Sequence, residues 1–80
     1  MKQFSKMEQE IIKILKRRRE STFSILVDCI YSLENRPVHA HTVISGAVKR
    51  INLKFQKYKM QSRVEIIGDA GPSGKVLKLT

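Results

Sequence analysis

Along this chain apolar residues recur at spacings of three and four over three successive stretches, and past Gln61 the spacing drops to two. The first stretch places Phe4, Met7, Ile11, Ile14 and Leu15 on one stripe, against Lys6, Glu8, Gln9, Lys13, Lys16 and Arg17. It predicts an amphipathic helix over residues 5–19. Ser21 and Thr22 are good N-cap residues, and Phe23, Leu26, Val27, Ile30 and Leu33 follow as a second stripe that closes before Asn35 and Pro37. That predicts a helix over 22–34. Ile25, Cys29 and Tyr31 lie off the stripe, so this helix should sit between other elements or against a second copy, with Cys29 a small buried hydrophobe.

The third stretch, residues 40–59, sorts most cleanly. Ile44, Ala47, Val48, Ile51, Phe55 and Tyr58 fall on one side of a helical wheel; Thr42, Ser45, Lys49, Leu53 and Gln56 fall opposite. Gly46 sits inside it, near the outward face. After it, Val64 and Ile66 alternate with polar neighbours, GDAGPSG intervenes, and Leu77 and Leu79 alternate again. A hairpin over 63–80 with a seven-residue loop is expected, its apolar side laid over the helices. The expected fold class is α+β: three helices and a C-terminal two-stranded β-hairpin in a single domain.

Charge sharpens the picture. The 80 residues carry a formal +9, and from Asn35 to Val64 seven basic residues meet no acidic one. Such a field suits a polyanion, with nucleic acid ahead of an anionic membrane surface. The run Lys16-Arg17-Arg18-Arg19 complements the negative end of a helix dipole, and could also touch phosphates or serve as a nuclear address. One Cys and no long apolar run after the first lysines predict a reducing compartment, neither a secretory signal nor a membrane span, and a cytoplasmic, nucleoid-associated protein.

Catalytic and metal chemistry find little purchase. Asp28, Glu34, Glu65 and Asp69 form no acid and base pair, and no Ser, His, Asp arrangement is visible. His39 and His41 lack further ligands at metal spacing. Gly71-Pro72-Ser73-Gly74-Lys75 imitates a phosphate-binding loop but has Asp69 where a glycine is required, Val76 in place of Ser or Thr, and a strand following. No enzyme, cofactor or metal is expected.

The pattern Val48-Lys49-Arg50-Ile51 followed by Phe55, then Val64-Glu65-Ile66-Ile67-Gly68 through Gly74-Lys75-Val76-Leu77-Lys78-Leu79, resembles the winged helix-turn-helix effector domains of two-component response regulators. The likeness covers roughly residues 22–80. It implies a recognition helix at 40–59 and a hairpin wing, in a stand-alone regulator, since no receiver domain accompanies it. In winged-helix proteins the hairpin loop reaches an adjacent minor groove or backbone, which by resemblance falls to Lys75 and the Gly71 to Gly74 turn.

If the third helix enters a major groove, Thr42, Ser45, Lys49, Asn52, Leu53 and Gln56 are the base readers, with Lys49 suited to guanine, Asn52 or Gln56 to adenine, and Leu53 to a thymine methyl. Arg50, Lys54, Lys57, Arg63 and Lys75 suit the sugar-phosphate backbone. The expected function is sequence-specific double-stranded DNA binding in transcriptional regulation, as a homodimer or as tandem copies because one small module covers little DNA. The second reading is an adaptor that binds an acidic protein of the transcription machinery. RNA binding comes third, because Phe55 and Tyr58 are assigned to the core and not to stacking.

Overall fold

The computed structural model describes residues 3–31, 34–69, 71 and 74–80. Among them the chain forms α1 (Lys6–Arg18), β1 (Glu20–Thr22), α2 (Phe23–Ile30), α3 (Ala40–Lys57), β2 (Val64–Asp69) and β3 (Lys75–Leu79). The strands make one antiparallel sheet in the order β1-β3-β2. The expected α+β class holds. The expected two-stranded hairpin is two parts of a three-stranded sheet.

α1 begins at a capping box: the Ser5 side chain accepts from the Glu8 N–H, and the Glu8 carboxylate accepts from the Ser5 N–H at 2.9 Å. Its buried stripe is Glu8, Ile11, Ile12 and Leu15, with Phe4 ahead of it. This corrects the predicted stripe, which placed Glu8 on the polar face and left out Ile12; Met7 and Ile14 are only half-buried. Arg19 closes the helix with φ 67 and turns the chain directly into β1.

β1 exists because β3 offers it an edge, with Ser21 opposite Leu77 and Thr22 opposite Val76. Thr22 is both the last residue of that strand and the N-cap of α2, its hydroxyl accepting from the Ile25 N–H at 3.2 Å. α2 stops at Ile30, earlier than the predicted 34, because Tyr31 takes up extended backbone (φ −114, ψ 136). From there its half-buried ring packs against the core and its hydroxyl donates to the Met7 sulfur at 3.9 Å. Leu33 lies outside the described residues. Cys29, expected in the core, is exposed, because α2 turns only Phe23, Leu26 and Val27 fully inward.

α3 buries Ala40, Ile44, Ala47, Val48, Ile51 and Phe55. It ends at Lys57, two residues before the predicted end, in a left-handed stop: Lys59 has φ 55 and the Met60 N–H donates to the Phe55 carbonyl at 2.8 Å. Lys59 occupies the place a glycine usually takes, which hid the stop from the sequence. Tyr58 thereby leaves the core stripe and is 44% exposed. Phe4 meets Phe55 edge-on, with centroids 5.4 Å apart, joining the start of α1 to the end of α3.

Leu77, wholly buried, sits in the central strand over the helices. β2 pairs with β3 from Val64 opposite Leu79 to Asp69 opposite Lys75, with a bulge between Ile66 and Gly68. Gly68 and Asp69 are therefore strand residues and the loop is shorter than expected. Only Val64 of β2 is buried. Ile66, expected over the helices, is 57% exposed, because the helices reach only the first residue of this strand. Among the described residues no helix is long and apolar enough to cross a membrane.

Candidate nucleic-acid interface

α3 turns its buried stripe to the core, so the opposite side is set by geometry. Thr42, Lys49, Leu53, Gln56 and Lys57 are exposed there, and Leu53 at 65% is an apolar side chain standing free among polar ones. Ser45 and Asn52, also expected on this face, are half-buried towards β2. A cleft between α3 and β2 is floored by Val48 and walled by Ser45, Lys49, Arg63 and Ile66. A second hollow, between Leu53, Gln56 and the segment after α3, again includes Lys49 and Arg63. These two cations stand at both hollows; Glu65 is the carboxylate beside the first.

Asn52 has a different position from the one expected of a reader. Its amide donates to the Val64 carbonyl at 3.0 Å and its oxygen accepts from the Val64 N–H at 2.8 Å. One side chain thus satisfies both backbone groups of the residue that opens β2 and fixes the strand against the helix. Sequence periodicity alone placed it near the outward face, because its partner is distant in the chain.

Arg50 and Lys54, expected on phosphates, lie along the other flank and face α1. The Lys54 ammonium is 2.5 Å from one oxygen of Glu8 and 5.7 Å from the centroid of the Phe4 ring. Arg50 Nε is 3.5 Å from the other oxygen, and that oxygen is buried with no hydrogen bond. Burial alone would push the Glu8 carboxyl up; the hydrogen bonds from Lys54 and the Ser5 N–H, with the charges of Lys54 and Arg50, outweigh it and hold the carboxyl below its ordinary value. Lys54 is held more tightly than Arg50, whose side chain is 56% exposed. The sequence does announce Glu8: Ser5-Lys6-Met7-Glu8 is a capping box that the hydrophobic spacing outshone.

Gly46 lies on the same flank with ordinary helical backbone, and a Cβ there would sit 3.5 Å from Arg50 Nη1, a normal contact. Gly46→Ala should therefore raise stability by about 1 kcal/mol, read as a higher urea midpoint; a fall in the midpoint would mean that the helix needs the gap. Gly74 is the opposite case. At φ 87 it brings the base of the β2-β3 loop against Phe23 and His41, where a Cβ would lie 3.3 Å from Phe23 Cβ. Lys75, next to it, is exposed; Pro72 and Ser73, which belong to the expected loop contact, lie outside the described residues.

The structure thus brings Lys49, Leu53, Gln56 and Arg63 together, leaves Lys57 exposed outside that hollow with its ammonium 5.6 Å from the centroid of the Tyr58 ring, and places Thr42 and Lys75 towards the other end. Comparison with protein-family models, with curated proteins and with solved structures finds no match.

Proposed function

We propose that this protein is a winged helix-turn-helix regulator that binds double-stranded DNA sequence-specifically through α3, with the β2-β3 hairpin as its wing. The observation that carries the reading is α3 itself. It has eighteen residues and no acid, its outward face offers Lys49, Leu53, Gln56 and Lys57, and Asn52 clamps the flank away from Arg50 and Lys54 to β2. At about 27 Å it is long enough to lie in a major groove. The order α1-β1-α2-α3-β2-β3, with β3 between the other strands, supports the wing assignment.

In this reading Lys49 and Gln56 face base edges, Leu53 a thymine methyl, and Arg63, Lys57 and Lys75 the phosphates. Thr42 and Ser45 read from the first turns of the helix. Asn52 positions the wing instead of reading a base, and Arg50 and Lys54 approach the backbone only against the pull of Glu8. The exposed pair Ile66 and Ile67 favours the second reading, an adaptor for an acidic protein partner.

Fluorescence anisotropy separates the two. Duplex enriched from a random pool, matched RNA and unselected duplex are titrated across roughly 50 to 200 mM salt. Expected are an enriched sequence, preference for duplex, and a roughly tenfold loss of affinity with a flatter salt slope for Lys49→Glu. Binding that is equal for RNA and duplex, or indifferent to Lys49→Glu, would overturn the DNA reading.

A further inference from the structure

Lys49 and Lys57 of α3 are not the only cations outside the ion pairs of the described residues. Lys13, Lys16, Arg17, Arg18 and Arg19 are all exposed, and among the described residues the three ion pairs involve none of them. Lys13 and Arg17 fall, with Lys6, on the side of α1 opposite its buried Glu8, Ile11, Ile12 and Leu15. Glu10 and Glu20 are the carboxylates nearest along the chain, both exposed. A helix dipole rewards cations in its last turn, which accounts for part of the run. It does not account for Lys13, which stands before that turn.

The position of this cluster separates it from α3. Arg18 and Arg19 lead straight into β1, whereas α3 is clamped to β2, and the sheet order puts β3 between those two strands. α1 and α3 also turn their buried faces to one core, so their outward rows point in different directions. Three consecutive arginines offer guanidinium forks matched to phosphate oxygens.

We propose that the C-terminal end of α1 is a second phosphate-binding surface, so that a molecule engaged on one duplex through α3 holds the backbone of another and bridges them. The inference rests on the DNA reading of α3. The ligand at α1 is the sugar-phosphate backbone of duplex DNA, bound without regard to sequence.

The test is a bridging assay beside a single-site one. Bead-tethered duplex captures free labelled duplex in the presence of protein, while anisotropy follows one short labelled duplex. The variant is Arg17→Gln with Arg18→Gln, neutral changes that remove two of the four cations of the run and keep the helix, checked by an unchanged unfolding midpoint. Wild type should capture, and the variant should lose capture roughly fivefold or more while its affinity for the single duplex changes by less than about twofold. No capture by wild type, or capture untouched by the variant, overturns the second surface. So does an equal loss in both assays, which would make α1 and α3 one continuous face. A failure of the α3 reading has another signature, single-duplex affinity indifferent to Lys49→Glu.

Discussion

Replacing Glu8 by alanine should lower the unfolding free energy by about 3 kcal/mol, the sum of a lost cap bond near 1 kcal/mol and a lost charged hydrogen bond of about 2 kcal/mol. For a domain of this size that moves the thermal midpoint by roughly 15 °C. The carboxylate is 1% exposed and joins two helices: the first turn of α1 through the Ser5 N–H, and α3 through Lys54 and Arg50. Alanine leaves the Ser5 donor and Lys54 without it. Lys54, about a third exposed, regains some water, which caps the loss. Glu8→Gln retains neutral versions of both hydrogen bonds and should cost about 1 kcal/mol.

The same residue sets an acid limit. Its folded carboxyl lies below the ordinary value near 4.5, so its contribution is complete above that value and is lost as pH falls through the lower, folded one. Wild type should lose stability on acidification through this range more steeply than Glu8→Gln. Urea midpoints measured between neutral pH and about pH 3 check both statements. Parallel pH curves for the two proteins, or Glu8→Ala within about 0.5 kcal/mol of wild type, would mean that the pair is a surface ornament.

Asn52→Ala should cost about 2 kcal/mol, because two hydrogen bonds vanish together and leave both backbone groups of a buried residue, Val64, without their partner. The effect on binding should exceed what lower stability explains. If α3 binds duplex as proposed, affinity should still fall with the protein fully folded at low temperature, since the β2-β3 hairpin is no longer held at a fixed angle to α3. Amide exchange at Val64 should accelerate far more than at Leu26, deep in the helical core. Equal acceleration at both sites would show a general loosening instead of a freed hairpin.

Asn52 also marks the boundary of what could be read in the residues alone. The inward stripe of α3 was legible from Ile44 to Phe55 because helical period and burial agree there. A side chain on the flank of that stripe has two possible neighbours, water or a distant strand, and local spacing does not distinguish them. β1 was illegible for a related reason. Glu20-Ser21-Thr22 has no strand period and too few residues to carry one; its extended form is set by the edge of β3. Glu8 was misplaced because a carboxylate in the buried stripe contradicts hydrophobic spacing, and the two cations on α3 with the Ser5 N–H make it tolerable. Of the candidate site, Lys49, Leu53 and Gln56 were legible as outward residues, while the pairing of Arg50 and Lys54 with α1 was not.

The sheet order has a consequence for how the protein is made. β3 is the middle strand and carries Leu77 into the core, yet it is the last element described, and its partner β1 comes before α2. A chain emerging from the ribosome can form its helices as they appear but cannot close the sheet until residues 75–79 have been synthesised. Until then the apolar faces of α1 and α3 lack their cover, while the arginine-rich end of α1 is already present. The nascent chain is thus cationic before it is folded, and its arginine-rich segment emerges beside the polyanionic ribosome while the sheet is still open.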